Sequence, residues 1–125
     1  MKRISAIAFA LSLGACAQLN GIYTLATTSS VPAGDVVIAA NAFDVLKATA
    51  INYGNYCVTQ HFPVPVCSKA NRRAVIKAVN SGSAARVQLE ASINTGQPAV
   101  STVYNTLIAA VNSLQASPIN TVKGN

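Results

Sequence analysis

Three cysteines, one histidine and a cluster of basic residues are the side chains whose types and spacing could carry chemistry. Cys16 follows an apolar N-terminal run, whereas Cys57 and Cys67 flank a loop that contains His61. The 125 residues include only three Asp and Glu against nine Lys and Arg, a formal net charge of +6. One His and three carboxylates leave little material for acid–base, nucleophilic or metal-assisted catalysis, and His61 lacks further ligands for a metal. We therefore predict that the protein is not an enzyme and holds neither a metal nor a cofactor.

The first 16 residues have the order of a secretory signal. A basic start is followed by an uncharged apolar run, too short to cross a bilayer, and by small residues before Cys16. The tetrad Leu13-Gly14-Ala15-Cys16 resembles the lipobox of bacterial lipoproteins. That resemblance covers residues 1–16 only. It implies that residues 1–15 are a signal peptide removed on export, that the Cys16 thiol carries a diacylglyceryl group, and that the new amine is acylated, as by palmitate.

The same resemblance predicts where the protein resides. Ala17 rather than Asp follows the cysteine, which in Gram-negative lipoproteins favours the outer membrane, facing the periplasm or the outside.

Two alternatives compete with the lipoprotein interpretation of this segment. An ordinary cleaved signal would leave Cys16 as a free thiol, a liability in an oxidising compartment. An uncleaved anchor would use the uncharged run 4–34 as a membrane helix, but polar residues and a Thr/Ser run interrupt its apolar stretch after Cys16.

Apolar residues at alternating spacings of three and four predict three amphipathic helices. Start and stop residues give expected bounds of about 35–54, 69–94 and 98–116, with Ser68 as the N-cap of the second helix and Gly96 as its stop. The expected apolar stripes are Val36, Ala39, Phe43, Leu46, Ala50 and Tyr53; then Val75, Ile76, Val79, Gly82, Ser83, Val87, Leu89 and Ile93; then Val100, Val103, Tyr104, Leu107, Val111 and Leu114.

These helices predict an all-α fold, an antiparallel up-down-up three-helix bundle with one disulfide. The expected organisation is a signal at 1–15, a lipidated cysteine and flexible tether at 16–34, the bundle at 35–116 and a tail at 117–125. A four-helix arrangement completed by the tether or a partner chain stays open. A β fold is not expected, because the Ala-rich stripes have the wrong period.

Small and charged residues within the second helix carry two further predictions. Gly82 and the following serine mark a place where another helix approaches closely. Arg86 falls within the apolar stripe, so it needs a carboxylate, which is either Glu90 one turn later or Asp44 on the first helix. We expect that pair to be structural.

Cys57 and Cys67 pair into a disulfide if the chain is exported and Cys16 is acylated, since no cysteine then remains. A closed loop of this size stabilises the fold by about 3 kcal/mol in the chain-entropy estimate. The alternatives are a redox pair or a thiolate assisted by His61. Both are disfavoured, because there is no Cys-x-x-Cys motif and the spacing suits a structural link between two helices.

The loop and the start of the second helix form a candidate partner-binding patch. Its residues are aromatic, imidazole and basic, namely Tyr56, His61, Phe62, Lys69, Arg72, Arg73 and Lys77. Cations at a helix N-terminus oppose the helix dipole, which invites a functional explanation such as docking of an anionic envelope component or a protein. The alternative is a solvated basic helix end with its aromatic groups folded over the core.

These features together predict a small membrane-anchored envelope lipoprotein that acts as a structural or binding module, held to the membrane by the lipid on Cys16. The alternative is a phage- or prophage-encoded lipoprotein acting in host lysis or superinfection exclusion; the body resembles small phage-encoded proteins, without a motif that carries the likeness. Nucleic acid is not an expected partner, because export removes it from reach and no recognised binding motif accompanies the basic residues.

Overall fold

The computed structural model describes residues 25–27, 29–59 and 64–122. The predicted signal, Cys16 and most of the predicted tether lie outside these residues, as do His61 and Phe62. The described chain is mostly helical, as predicted. Its elements are strand β1 (Ser30–Val31), helix α1 (Ala33–Thr59), a 3₁₀ helix (Pro65–Cys67), helix α2 (Lys69–Asn94), strand β2 (Ala99–Val100), helix α3 (Ser101–Ala116) and a second 3₁₀ helix (Pro118–Thr121).

Helix α1 continues beyond the end that the sequence predicted. Gly54 and Asn55 were the expected stop, yet the helix runs through both to Thr59. A glycine inside a helix costs about 1 kcal/mol relative to alanine. Tyr53 and Cys57 on either side of it are both buried in the core, and burying a large apolar side chain contributes about 1.5–3 kcal/mol. Packing therefore overrides the local stop signal.

Helix α2 begins and ends as predicted. The Ser68 hydroxyl accepts a hydrogen bond from the backbone N–H of Asn71 at 3.2 Å, which makes Ser68 the N-cap. The last helical residue is Asn94, and Gly96 has a φ of 68°, a left-handed conformation that glycine adopts without steric cost.

Helix α3 begins three residues later than predicted. Pro98 was the expected first residue, but the next two residues form β2, which pairs antiparallel with β1 in the register Ser30↔Val100 and Val31↔Ala99. An extended backbone that is paired with a partner strand cannot also enter a helix. Periodicity did not predict this short strand pair, which lies within a fold that is mostly helical as expected.

The described part of the predicted tether contacts the body of the molecule. The Asn105 side chain on α3 accepts from the Ala26 backbone N–H at 2.7 Å and donates to the Ala26 carbonyl at 3.2 Å. Val31 and Ile119, which lie outside the predicted body of 35–116, are both buried in the core. Ala26 and Val31 before the predicted helices, and Ile119 after them, thus pack on the body.

The three helices pack around a common core, an arrangement consistent with a bundle. Helices α1 and α2 run in opposite directions, because the end of α1 is joined to the start of α2 by Cys57–Cys67 and their middles meet at Asp44 and Arg86. Helix α3 packs against both of them. The largest fully buried side chains are Tyr53, Phe43, Leu89, Leu107, Ile108, Leu114, Ile119, Val36 and Val111.

The apolar stripe of α2 differs from the prediction. Ile76, Val87 and the strand residue Val100 were expected in the core but are largely exposed. The buried face of α2 consists mostly of small side chains, namely Val75, Ala78, Gly82, Ala85 and Leu89. Small residues allow neighbouring helices to approach closely, and this displaces the larger apolar residues onto a flank.

No helix within the described ranges is long and apolar enough to cross a bilayer.

Candidate functional site

The disulfide joins the last turns of α1 to the 3₁₀ helix that precedes α2. Cys57 and Cys67 are bonded with their Cα atoms 5.4 Å apart, which confirms the predicted pairing. Cys57 is buried and belongs to the core cluster, and Cys67 packs against that cluster. A buried sulfur that packs in the core suits a structural link better than an exchanging redox pair. We call this end of the molecule the disulfide end.

Two further side chains hold the 3₁₀ helix that precedes α2. The Tyr53 hydroxyl donates to the Val66 carbonyl at 2.5 Å, and the Asn71 amide donates to the carbonyls of Pro65 and Val66 at 3.4 Å each. Burial raises the pKa of Tyr53 above its ordinary value, and the nearby positive charge of Arg72 partly opposes that shift. The 3₁₀ helix is therefore held by hydrogen bonds from both α1 and α2.

The four cations predicted for the binding patch are all exposed at the start of α2. None of them has a carboxylate partner among the ion pairs of the described residues. The whole sequence contains only three acidic side chains. Asp44 and Glu90 both bond Arg86, and Asp35 lies in the first turn of α1, at the other end of that helix. The positive charge at the disulfide end thus lacks an internal counter-charge from any acidic side chain.

The predicted patch residues do not all share one surface. Arg72 lines a hollow between α1 and α2, whereas Lys77 lines a groove between α2 and α3. Five residues of an α-helix correspond to a rotation of about 140°, which separates the two cations. Tyr56 is half-buried and packs against the core cluster. His61 and Phe62 lie outside the described residues, so their relation to the cations stays a prediction.

The hollow between α1 and α2 was not predicted from the sequence. Its volume is about 300 Å³, and its wall is mostly apolar. Three large apolar side chains at its rim are strongly exposed, Ile51 by 55%, Ile76 by 59% and Val58 by 77%. The lining residues are Ala50, Ile51, Tyr53, Gly54, Val58, Arg72, Val75, Ile76, Val79 and Asn80. We call this feature the α1–α2 hollow.

One sequence signal points to this hollow. Ile51, Gly54 and Val58 are spaced at i, i+3 and i+7, which places them on one face of α1 beside its core stripe. Apolar residues that lie outside the core stripe in this way indicate that the helix has a second surface available for an apolar contact. Its counterpart on α2 is Ile76, which the sequence assigned to the core.

The groove between α2 and α3 has a different chemical character. It is larger, about 650 Å³. Its lining consists of small and hydroxyl-bearing residues and two longer polar side chains, namely Ala74, Lys77, Ala78, Ser81, Thr102, Asn105, Thr106, Ala109, Ala110 and Ser113. We call it the α2–α3 groove. It presents hydroxyl groups and methyl groups in place of large apolar side chains.

Arg86 joins α1 and α2 in the middle of the bundle. Its Nε lies 2.8 Å from Asp44 Oδ1, and its terminal nitrogen lies 2.8 Å from Glu90 Oε2. Both partners expected from the sequence are thus confirmed. The hydrogen bond to Asp44 is the main cause that raises the pKa of Arg86. Since this network uses two of the three acidic side chains, we interpret it as structural.

Within the described ranges, no group of three His, Cys, Asp or Glu side chains lies close enough to hold a metal ion. No protein-family model, curated protein or solved structure matches the chain. What the molecule does must therefore be inferred from its own residues and geometry.

Proposed function

We propose that the protein is a small lipoprotein of the bacterial cell envelope that acts as a structural or binding module. In this proposal Cys16 carries the lipid that holds the protein to the outer membrane. The up-down-up helical body then presents its disulfide end to an anionic envelope component or a protein. The support for the anchor is the lipobox resemblance of residues 13–16. Two or three acyl chains on one cysteine anchor durably, whereas a single chain binds reversibly.

The observation that carries the binding role is the uncompensated positive charge at the disulfide end. Lys69, Arg72 and Arg73 lie in the first turns of α2, where cations are unfavourable to the helix dipole. These cations lower the stability of the helix, and no ion pair among the described residues offsets that cost. This supports a role for them in contact with an external anion. Exposed cations of this kind also raise the rate at which an anionic partner is encountered.

The length of α1 supports the proposed orientation. The helix has 27 residues, which corresponds to about 40 Å at 1.5 Å per residue. The segment that leads back toward Cys16 joins the body at the start of α1, next to β1, and the disulfide lies near its other end. A body held by its N-terminal segment would therefore carry its cations on the side away from its anchor.

The anchor is tested with Cys16→Ser in cells. The expected result is loss of metabolic labelling by radioactive palmitate, together with transfer of the protein from the membrane pellet to the soluble fraction. Cys57→Ser/Cys67→Ser serves as the matched control, because it removes thiols elsewhere and should keep the label. A Cys16→Ser protein that stays membrane-bound at unchanged size would show that the lipoprotein proposal is wrong.

The binding role is tested with the charge reversal Lys69→Glu/Arg72→Glu/Arg73→Glu in the full chain. We expect chemical cross-linking in intact envelopes to lose the partner bands that the wild-type protein gives. Lys77→Glu, which changes a cation on the other flank of α2, is the control. Unchanged bands in the triple variant would contradict docking through this end.

A further inference from the structure

We propose that the α1–α2 hollow binds a single-chain amphiphile with an anionic head group, such as a fatty acid. The acyl chain would lie against Ile51, Val58 and Ile76, and the head group would bind the Arg72 guanidinium. This inference rests on the proposed function only in taking the disulfide end to be a binding surface. It does not require the anchor on Cys16, so the two can fail separately.

The volume and lining of the hollow fit an acyl chain. Small-molecule sites are concave, begin at about 300 Å³, and combine a mostly apolar wall with a few polar groups that fix orientation. The α1–α2 hollow has about this volume, and Arg72, Asn80 and the edge of Tyr53 are its polar lining residues. The Tyr53 hydroxyl already donates to the Val66 carbonyl. Arg72 is thus the charged group that remains for a ligand.

The charge of the site selects an anion. Arg72 has no ion pair among the described residues, and the acidic side chains of the chain lie elsewhere. A guanidinium presents two parallel N–H donors that match a carboxylate or a phosphate. An apolar wall with an unpaired guanidinium at its rim matches a molecule with a hydrocarbon chain and an anionic end.

A second copy of the chain fits the same surface poorly. Two copies facing each other through this hollow would bring Arg72 and its basic neighbours on α2 close together, with no acidic side chain on either copy there to offset them. Like charges brought together at an interface cost several kcal/mol. The charge pattern therefore favours a small anionic ligand over self-association.

The test uses the full chain carrying Cys16→Ser, which avoids detergent, and a dansyl-labelled undecanoic acid as the probe. We expect a saturable rise in dansyl fluorescence. Gly54→Leu should weaken binding by at least about tenfold, because a Cβ at Gly54 meets no atom within 4 Å and the added side chain would fill the hollow. Gly34→Leu is the matched control, since Gly34 also has open space and lies in the first turn of α1.

The head-group contact is tested with a matched pair of arginines. Arg72→Gln should weaken binding of the acid by about threefold, the effect of one exposed ion pair, while Arg73→Gln should have a smaller effect. The methyl ester of the probe, which lacks the charge, should bind wild type and Arg72→Gln equally.

Three outcomes would overturn the proposal. One is the absence of saturable binding by the folded protein. Another is equal binding by Gly54→Leu and Gly34→Leu, which would place the probe elsewhere. The third is binding only to phosphatidylglycerol vesicles, lost equally in Arg72→Gln and Arg73→Gln, which would show a charged membrane surface to be the ligand.

Discussion

Helix α2 contacts its two neighbours in different ways. Toward α3 it presents small side chains, and Ala78 on α2 and Ala110 on α3 are both buried beside the α2–α3 groove. Toward α1 there are three separate links, one of them through the 3₁₀ helix that precedes α2. These are the disulfide Cys57–Cys67, the ring of Phe43 against Gly82, and the ion pair Asp44–Arg86.

The difference explains why the α1–α2 hollow and the α2–α3 groove are lined so differently. Small side chains along α2 and α3 leave a groove of methyl and hydroxyl groups. Separate links between α1 and α2 leave large apolar residues of both helices uncovered, as at Ile51 and Ile76. The chemistry of the lining, not the volume, marks the α1–α2 hollow as a better candidate for a ligand than the α2–α3 groove.

Removing the disulfide tests the covalent link and should have the largest effect. We expect Cys57→Ala/Cys67→Ala to lower the free energy of unfolding by about 3 kcal/mol, because the unfolded chain regains the entropy of an 11-residue loop. Urea unfolding followed by circular dichroism measures the change, with Cys16→Ser as the control. A loss well below 1 kcal/mol would mean that the hydrogen bonds of Tyr53 and Asn71 hold the 3₁₀ helix in place without the disulfide.

Gly82 tests the second link. A Cβ on Gly82 would lie 2.2 Å from Phe43 Cε2, and Phe43 is fully buried. Gly82→Ala should therefore destabilise by about 2 kcal/mol through overpacking. Gly54→Ala is the matched control and should stabilise by up to about 1 kcal/mol, because its Cβ meets no atom and alanine favours a helix.

The Gly82 prediction has an internal check. The double variant Phe43→Leu/Gly82→Ala should recover part of the loss caused by Gly82→Ala, since a smaller side chain then faces the new methyl group. If Gly82→Ala and Gly54→Ala have the same effect in urea unfolding, the contact between Phe43 and Gly82 does not set the separation of α1 and α2.

Features encoded by local chemistry were predictable from the sequence. The Ser68 cap, the Gly96 stop, the cysteine pair and the close approach at Gly82 each depend on a residue type that few others can replace. The two partners of Arg86 were predictable because the chain offers very few carboxylates.

Features decided by distant residues were not predictable. The end of α1 depends on burial of Tyr53 and Cys57, and the start of α3 depends on pairing of β2 with a strand far back in the sequence. Periodicity selected Ile76 for the core of α2 because it is more apolar than Ala78, whereas close helix packing favours the smaller residue. The cations of the site were visible in the sequence, but the hollow requires residues of two helices to meet.

Tyr53 tests the hydrogen bonds that support the covalent link. Tyr53→Phe should cost about 1 kcal/mol, the net contribution of one hydrogen bond, since the Val66 carbonyl keeps the Asn71 amide as a donor. Urea unfolding at neutral pH measures this loss. If Tyr53→Phe has the same free energy of unfolding as the wild-type protein, the hydrogen bond to Val66 makes no net contribution to stability.

The same tyrosine predicts a pH dependence. Burial raises its folded-state pKa above the ordinary 10.0, so the neutral phenol favours the folded state. The stabilisation is complete below pH about 10, the unfolded pKa, and is lost as pH rises from there through the folded value. The pKa of Tyr104 is raised in the same direction. Tyr53→Phe should therefore reduce the alkaline loss of stability, and Tyr53→Phe/Tyr104→Phe should reduce it further in urea unfolding at rising pH.

The ion network tests the third link and should have the smallest effect. Asp44 and Glu90 both bond Arg86 at 2.8 Å, but Asp44 lies on α1 and Glu90 on the same helix as Arg86. Exposed pairs contribute about 0.2–1 kcal/mol. Asp44→Asn should cost the larger part of that range and Glu90→Gln the smaller, because only the first loses a charge pair between helices. The gap between the two unfolding free energies should narrow in high salt, which screens exposed charges. Equal losses at low salt would mean that Arg86 stabilises α2 alone, and that α1 and α2 are joined by the disulfide and the Phe43 contact.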